Sequence, residues 1–401
     1  MSFFFGMMFV VLGVYYVTVV GLNPLQLVLV GTTVETTIFL FEIPTGVLAD
    51  MYSRRLSVII GDVVIGIAYV VQGALSFFGG ILLAQVLWGI GETFVSGAFD
   101  AWIADEIGEE KAGRVYLRAS QVGMVGGMTG TVTGAVLGSL DVRLPILLGG
   151  TLFIALAAFL AVFMPEDGFK PAPREQRRQI GDFTRTFRAG VRQVRGRPVL
   201  ITILLIGVVY GAFTEGYDRL NEAHFLTNLE FPAVGGLQPV AWFAALSIVG
   251  GLLGLVVTEI ARRRINTSSH VIVTRSLLGI SGLLSAAVIG FGLAGSFAMA
   301  ASTSTLIHLM RTLRGPLTTA WINQNVDPQV RATVISMSGQ ADALGQLAVG
   351  PGIGAIGTAF GLRTALVVAG ILLAPALLLY TRTLRRGRPP LAIAGADAEA
   401  T

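Results

Sequence analysis

Cysteine is absent from the 401 residues, charged residues are scarce and histidine occurs only three times. The lack of cysteine excludes disulfides, thiol catalysis and cysteine-ligated metal sites. Only 13% of the residues are charged, whereas soluble domains carry about 25%. So little charge cannot cover a surface that faces water, and the mean hydropathy of +0.74 agrees with this. The composition therefore predicts an integral membrane protein whose first partner is the lipid bilayer.

Sequence motifs of membrane enzymes and ATP-driven pumps are also missing. The chain has no His-Glu-x-x-His, no paired serine and lysine motif and no Gly-x-x-x-x-Gly-Lys-Ser/Thr. We therefore expect no enzymatic activity, no cofactor and no metal. The net charge of +4 does not indicate nucleic-acid binding, because the basic residues lie in loops between apolar stretches. An intramembrane enzyme or a membrane receptor remains the alternative of another class, although a receptor would need a soluble sensing domain.

About twelve apolar stretches are long enough to cross a bilayer at a rise of about 1.5 Å per residue. We interpret the N-terminal one as a first span and not as a cleaved signal, because Met1–Phe5 has no basic region and no small-residue cleavage site. Basic residues follow the even-numbered spans, as Arg54 and Arg55 follow the second and Arg262–Arg264 the eighth. The positive-inside rule then places both termini in the cytoplasm of a multi-pass protein in the cytoplasmic (inner) membrane.

The longest loop, residues 166–197, divides the spans into two halves of six. It is rich in arginine and places apolar residues such as Phe183 and Phe187 at helical spacing, which predicts an amphipathic helix on the inner leaflet. The alternative is a solvated basic linker. The predicted domains are an N-terminal six-helix bundle over 1–165, this linker over 166–197, a C-terminal six-helix bundle over 198–383 and a disordered cytoplasmic tail over 384–401.

Ionisable side chains inside the apolar spans are costly in lipid and should face protein or water. The candidate residues of a substrate and proton cavity are Glu35, Glu92, Asp100, Glu215, Asp218, His308 and Arg311. Glu92 and Asp100 are eight residues apart in the fourth span, which places them on one helical face. A carboxylate in a poorly hydrated cavity can bind a proton on one side and release it on the other. We therefore predict a small-molecule cavity with protons as the coupling ion.

These charges also have simpler interpretations. Glu215 and Asp218 would be solvated if they lay at the outer mouth of the bundle. Arg311 would only neutralise Asp100 or Glu92 if it paired with either of them across the bundle. The sequence leaves both alternatives open.

A charged turn, Gly46-Val47-Leu48-Ala49-Asp50-Met51-Tyr52-Ser53-Arg54-Arg55, joins the second and third spans. Its pattern Gly-x-Leu-Ala-Asp-x-x-x-Arg-Arg resembles the loop motif of the major facilitator superfamily, a large family of secondary transporters. The resemblance implies an all-α polytopic membrane protein with twelve transmembrane helices in two pseudo-symmetric six-helix bundles, acting as a monomer.

The same resemblance implies a cytoplasmic gate made of Gly46, Asp50, Arg54, Arg55 and Asp105. Asp50 would lie against the start of the eleventh span, where the helix dipole favours an anion. Arg54 would pair with Asp105 at the inner end of the fourth span. These contacts would be closed in the outward-open state and broken when the halves rock. The alternative is that the charges only set the topology.

The nearest analogy is the drug-efflux-like bacterial branch of the family, which implies proton-coupled efflux of amphipathic or cationic compounds such as tetracyclines. Three departures count against a full match. Met51 replaces a basic residue, Gln85 stands where many proton-coupled members have arginine, and the glycine-rich run of residues 126–138 lacks the proline of the antiporter motif. The alternative is a proton-coupled or facilitated importer of a sugar, amino acid or organic anion, with Arg311 as the partner of the anion.

Overall fold

The computed structural model describes residues 1–170, 198–326 and 331–386, and these residues form helices and connecting turns without a β-strand. Residues 171–197, which hold the predicted amphipathic helix, lie outside the described residues, as does the predicted tail from residue 387 onward. An all-α polytopic fold, predicted from the apolar runs and the loop motif, is confirmed.

Each half contains one succession of helices. The first half consists of α1 (Ser2–Val14), which continues as a π-helical turn (Tyr15–Val19), α2 (Pro24–Met51), α3 (Arg54–Ala74), α4 (Phe78–Val95), α5 (Ala98–Ile107), α6 (Glu109–Leu140) and α7 (Arg143–Phe163). The second half consists of α8 (Pro198–Asn228), α9 (Pro239–Arg264), α10 (His270–Gly292), α11 (Phe297–Asn325), α12 (Arg331–Phe360), α13 (Leu362–Ile371) and α14 (Ala374–Arg386).

Ten helical stretches in the described ranges are long and apolar enough to cross a membrane. Two of these stretches contain a pair of helices each, α4 with α5 and α13 with α14. The more polar helices α6 and α11, of 32 and 29 residues, have the length to complete the predicted twelve.

The turn between α2 and α3 is as tight as the sequence predicts, because only Tyr52 and Ser53 separate the two helices. Ser53 Oγ accepts a hydrogen bond from the Leu56 backbone N–H at 2.9 Å and so caps α3. At the other end of α2, the side chains of Asn23 and Gln26 accept hydrogen bonds from each other's backbone N–H. This capping box fixes where α2 begins.

The glycine-rich run of α6 packs directly on the backbone of α1. A Cβ atom on Gly130 would collide with the carbonyl oxygen of Phe3, and one on Gly134 would collide with that of Met7 and lie 2.7 Å from Val10 Cγ1. Small residues let helix backbones approach closely in a membrane, where lipid tails compete with apolar side chains. The run therefore serves helix packing within the first half.

The two halves meet closely at one end of the bundle. We call the end that carries the turn Asp50–Arg55 the loop face, and the end that carries Asn23 and Phe360 the far face. Near the far face, the Leu25 backbone N–H donates a hydrogen bond to Thr358 Oγ1 at 3.0 Å. Nearer the loop face, a Cβ atom on Gly46 of α2 would meet no atom of residues 1–170, 198–326 or 331–386 within 4 Å. The first half of α2 is therefore tied to α12, whereas its second half packs on α4, where Thr45 Oγ1 donates a hydrogen bond to the Thr93 carbonyl at 3.0 Å.

Candidate functional site

A cavity of about 330 Å³ lies between the two halves. Its wall is formed by α1 with its π-helical turn, α2, α3 and α4 of the first half and by α8 of the second half. The polar side chains in this wall are Tyr16, Glu35, Tyr69, Gln72, Gln85, Asp218, Arg219 and Glu222. Both halves therefore contribute charged groups to one central space, which is the geometry expected of a transport site at a repeat interface.

Neutral hydrogen-bonding groups line the part of the wall formed by the π-helical turn, α3 and α4. Gln85 Nε2 donates to Gln72 Oε1 at 2.7 Å and to the Tyr16 hydroxyl at 3.2 Å. The Tyr15 hydroxyl donates to the backbone carbonyl of Gln72 at 2.6 Å. Gln85, which departs from the arginine of proton-coupled family members, therefore belongs to an amide and hydroxyl network with no formal charge.

An ion pair on α8 lies against a glycine of the opposite half. Arg219 Nε lies 3.4 Å from Glu215 Oε1, and Glu215 is buried whereas Arg219 is 32% exposed. A Cβ atom on Gly31 of α2 would overlap both Arg219 Nε and Glu215 Oε1. Glycine at position 31 therefore leaves room for this pair between the halves, and a larger residue would displace one of the two side chains.

A second ion pair joins α8 to α11 through two hydrogen bonds. Arg311 Nη1 and Nη2 donate to Asp218 Oδ1 and Oδ2 at 2.5 and 2.9 Å. This fork-to-fork geometry is the strongest form of an arginine–carboxylate contact. The partner of Arg311 is therefore Asp218, and the alternative that it neutralises Asp100 or Glu92 does not hold in this structure.

The third arginine of this region, Arg314, lies over an aromatic ring. Its guanidinium carbon is 3.2 Å from the centre of the Tyr210 ring. The Tyr210 hydroxyl shares a hydrogen bond of 2.5 Å with Ser281 Oγ, which fixes the ring against α10. Cation–π contact therefore holds Arg314 where α8, α10 and α11 meet.

Two acidic side chains of the wall have no ionic partner. Glu222 of α8 sits against Gly13 of α1, where any Cβ atom would overlap its carboxylate. Its Oε2 atom is buried and has no hydrogen-bond partner among the described residues. Glu35 of α2 is half-buried in the same wall and makes no hydrogen bond or salt bridge within the described ranges. The wall therefore holds two carboxylates that have no salt-bridge partner among the described residues.

The predicted cavity residues are only partly brought together. Glu35 and Asp218 line the cavity, Glu215 contacts Arg219, and Arg311 reaches the wall through Asp218. His308 is exposed on α11. Its imidazole ring is the group nearest to a Cβ atom that would be added at Gly250 of α9.

Glu92 and Asp100 do not line the cavity. Glu92 is half-buried in α4, whereas Asp100 is exposed in α5. The prediction that they share one helical face is wrong, because Gly97 has a φ of +46° and separates the two helices. A φ in this range is open to glycine at little cost, so the break falls where the sequence permits it.

Arg219 and Glu222 are the charged wall residues that the sequence interpretation did not select. They follow Glu215 by four and seven residues on the same face of α8. That spacing was a signal that could have included them. The glycines that accommodate them, Gly13 and Gly31, carry no comparable signal, because their role depends on contacts with a distant helix.

The gate residues form contacts at the loop face of the first half. Arg54 Nη1 donates to Asp105 Oδ2 at 2.6 Å and to the Ala101 carbonyl at 2.8 Å. Arg54 Nη2 also lies 3.4 Å from Asp50 Oδ1. Arg55 donates from its guanidinium to the carbonyl of Ala161 at 2.5 Å. These bonds connect the α2–α3 turn to α5 and α7.

Glu166, which follows α7, is an additional acid in this region that the sequence did not indicate as a gate residue. Its two carboxylate oxygens accept hydrogen bonds from Ser53 Oγ at 2.7 Å and from the Arg55 backbone N–H at 2.9 Å. A carboxylate at the start of a helix is favoured by the unpaired N–H groups there. The chain after α7 is thereby bound to the start of α3.

The chain is similar to known proteins in three respects, which are a family profile, a relative in sequence and solved structures of similar fold. The family profile described as Major Facilitator Superfamily matches residues 1–312. YxaM of Bacillus subtilis (strain 168), described as an uncharacterized MFS-type transporter, is 24% identical over 376 residues, which cover 89% of this chain and 87% of that protein.

Solved structures with a similar fold include the nucleoside transporter NupG, at 12% identity, a TM-score of 0.72 and coverage of 95% of this chain and 97% of that chain. Another is a bacterial homolog of the human lysosomal transporter Spinster in an inward-facing and occupied conformation, at 15% identity, a TM-score of 0.71 and coverage of 96% and 94%. At these identities the likeness concerns the fold.

Proposed function

The chain belongs to the major facilitator superfamily and is a multi-pass membrane transporter, and we propose that it exports amphipathic or cationic small molecules in exchange for protons. The predicted bundles over 1–165 and 198–383 would rock about the central cavity. The proposal includes a monomer in the cytoplasmic membrane with both termini in the cytoplasm.

The observation that supports this function is the surplus of acid in the cavity wall. Asp218 and Glu215 each have an arginine partner, whereas Glu35 and Glu222 have none among the described residues. A carboxylate without an ionic partner can bind either a proton or a cationic group. Competition between the two for one site couples the exit of a cation to the entry of protons.

The arrangement of the halves supports alternating access. The halves are joined near the far face by the Leu25–Thr358 hydrogen bond, whereas a Cβ atom on Gly46 near the loop face would meet no atom of the described residues within 4 Å. We therefore propose that the loop face, lying in the cytoplasm, is the open one, although the Arg54–Asp105 contact, which the resemblance expects to break in such a state, is formed here. Asp50 pairs with Arg54 in this state. We expect it to exchange that contact for the start of α12 when the loop face closes.

Proton flux in liposomes tests the proposal. The purified protein is reconstituted with an imposed pH gradient, and cationic drugs, sugars and amino acids are added in turn. Cationic compounds should dissipate the gradient with the wild type and not with Glu35→Gln or Glu222→Gln. Glu42→Gln is the matched control, because Glu42 lies on the same helix as Glu35, is exposed and does not line the cavity.

Three outcomes would contradict the proposal. Movement of a compound without movement of protons would make the carboxylates binding or structural groups. Coupling to a sugar or an organic anion, with cations inactive, would favour the importer instead. If Glu42→Gln abolished flux as completely as Glu35→Gln, the effect would not come from the cavity.

A further inference from the structure

The guanidinium group of Arg219 has donors that form no hydrogen bond with the described residues. Its Nε donates to Glu215 at 3.4 Å, which is long for a charge-assisted bond. Its two Nη groups make no hydrogen bond to any residue that the structure describes, although Arg219 lines the cavity and is 32% exposed. Arg311, by contrast, has both Nη groups occupied by Asp218. Arg219 therefore offers free donors to a ligand in the cavity.

A carboxylate that lines the same cavity lies one helical turn away from these donors. Glu222 follows Arg219 by three residues, and side chains at this spacing have Cβ atoms about 5–6 Å apart. In the described structure the two side chains form no salt bridge with each other, because Glu222 is turned against Gly13 of α1 and Arg219 towards Glu215. Glu35 adds a second carboxylate to the same cavity from α2.

The free Nη donors of Arg219 and the carboxylates of Glu222 and Glu35, which have no salt-bridge partner among the described residues, match a ligand that carries both complementary charges a few bonds apart. A guanidinium fork binds a carboxylate through parallel hydrogen bonds, and a carboxylate binds an ammonium group. The remaining wall includes Phe9, Leu12, Val17 and Trp88, which suit an apolar body. The volume of about 330 Å³ leaves room for a side chain beside the charged groups.

We infer that the cavity is a two-point site for a small zwitterion with an apolar body, with its carboxylate on Arg219 and its ammonium group on Glu222 and Glu35. This inference rests on the proposed transport function and names the class of its substrate. It assigns the anion contact to Arg219 and not to Arg311, whose donors are already occupied.

Binding of matched compounds to the full-length protein in nanodiscs tests the inference without any gradient. The probes are phenylalanine, its methyl ester and its N-acetyl derivative, which share one body and are a zwitterion, a cation and an anion. The same three forms of leucine and tryptophan vary the body. The zwitterion should bind at least about tenfold more tightly than either derivative, as expected for one additional charge-assisted contact.

Substitutions then assign each contact. Arg219→Gln is made together with Glu215→Gln, so that no buried carboxylate loses its partner. This double variant should bind the amino acid no better than its ester, while ester binding shows that the site is still folded. Arg219→Lys keeps the charge without the planar fork and should lose part of the preference. Glu222→Gln should lose the preference over the N-acetyl derivative, and Glu42→Gln should retain the selectivity of the wild type.

Three results would overturn the inference. They are equal binding of the ester and the amino acid by the wild type, retained preference in the double variant, and binding of none of the compounds. Each leaves the flux experiment unaffected, since a pure cation could still exchange for protons. Loss of proton coupling with zwitterion binding intact would instead refute the proposed efflux mechanism alone.

Discussion

Arg54 and Arg262 form ion pairs of nearly equal length, and we expect their removal to have different consequences. Arg54 Nη1 lies 2.6 Å from Asp105, and Arg262 Nε lies 2.7 Å from Glu259. The side chains of the first pair are 20% and 28% exposed, whereas those of the second are 71% and 42% exposed. Because water screens exposed charges, burial and not distance decides the contribution of each pair.

The expected magnitude follows from the bonds that Arg54 makes. Arg54→Ala removes its charge-assisted hydrogen bonds to Asp105 and to the Ala101 carbonyl, and leaves both acceptors partly buried. Such bonds contribute about 1.5–3 kcal/mol each when desolvated. Partial exposure and the smaller contribution of the neutral carbonyl reduce the sum, so we expect the free energy of unfolding to fall by about 2–3 kcal/mol. Arg262→Ala should produce no measurable change.

Thermal unfolding of the purified variants in one detergent, followed by tryptophan fluorescence, measures this difference. Asp105→Ala and the double variant with Arg54→Ala complete a double-mutant cycle. The two single effects should not add, because they remove the same contact. Equal shifts for Arg54→Ala and Arg262→Ala, or additive effects in the cycle, would refute the argument from burial.

Three further substitutions test packing and capping. Gly134→Ala should lower the free energy of unfolding by about 1–3 kcal/mol, because its Cβ would collide with the α1 backbone. The control is Gly113→Ala in the same helix, which should leave the free energy of unfolding unchanged because its Cβ would meet no described atom within 4 Å. Gly31→Ala should slow transport in the flux assay more than Gly113→Ala does, because the new methyl group at position 31 displaces the ion pair on α8. Equal transport rates of the two variants would contradict this role of Gly31. Glu166→Ala should cost about 1 kcal/mol in thermal unfolding, since it removes two hydrogen bonds at the start of α3; an unchanged midpoint would show that water replaces them.

The turn at Asp50–Arg55 shows which features could be predicted from the sequence. Two apolar runs flank it at a distance of a few residues, so the hairpin follows from hydropathy and the charge pattern alone. The spacing of Glu215, Arg219 and Glu222 likewise puts them on one helical face, although Arg219 and Glu222 were not predicted as cavity residues. The resemblance to a family motif named Asp105 as a partner of Arg54, which spacing alone would not have done.

The contents of the cavity could not be predicted in the same way. The spacing of Glu92 and Asp100 predicts one shared helical face, but a glycine with positive φ between them places them in two helices. Arg311 finds its partner 93 residues earlier in the chain. Gly31 matters only because the ion pair of α8 packs against it from the other half.

The sequence by itself determined the membrane-spanning helical architecture, because each stretch of about 20 apolar residues is long enough to cross the bilayer as a helix. Only the tertiary structure decided which charges pair and which remain open to the cavity. That outcome depends on how each helix is rotated and how closely it approaches its neighbours. Small residues such as Gly13 determine how closely two helices approach, because they contact helices some two hundred residues away in the sequence. No local sequence pattern indicates such contacts.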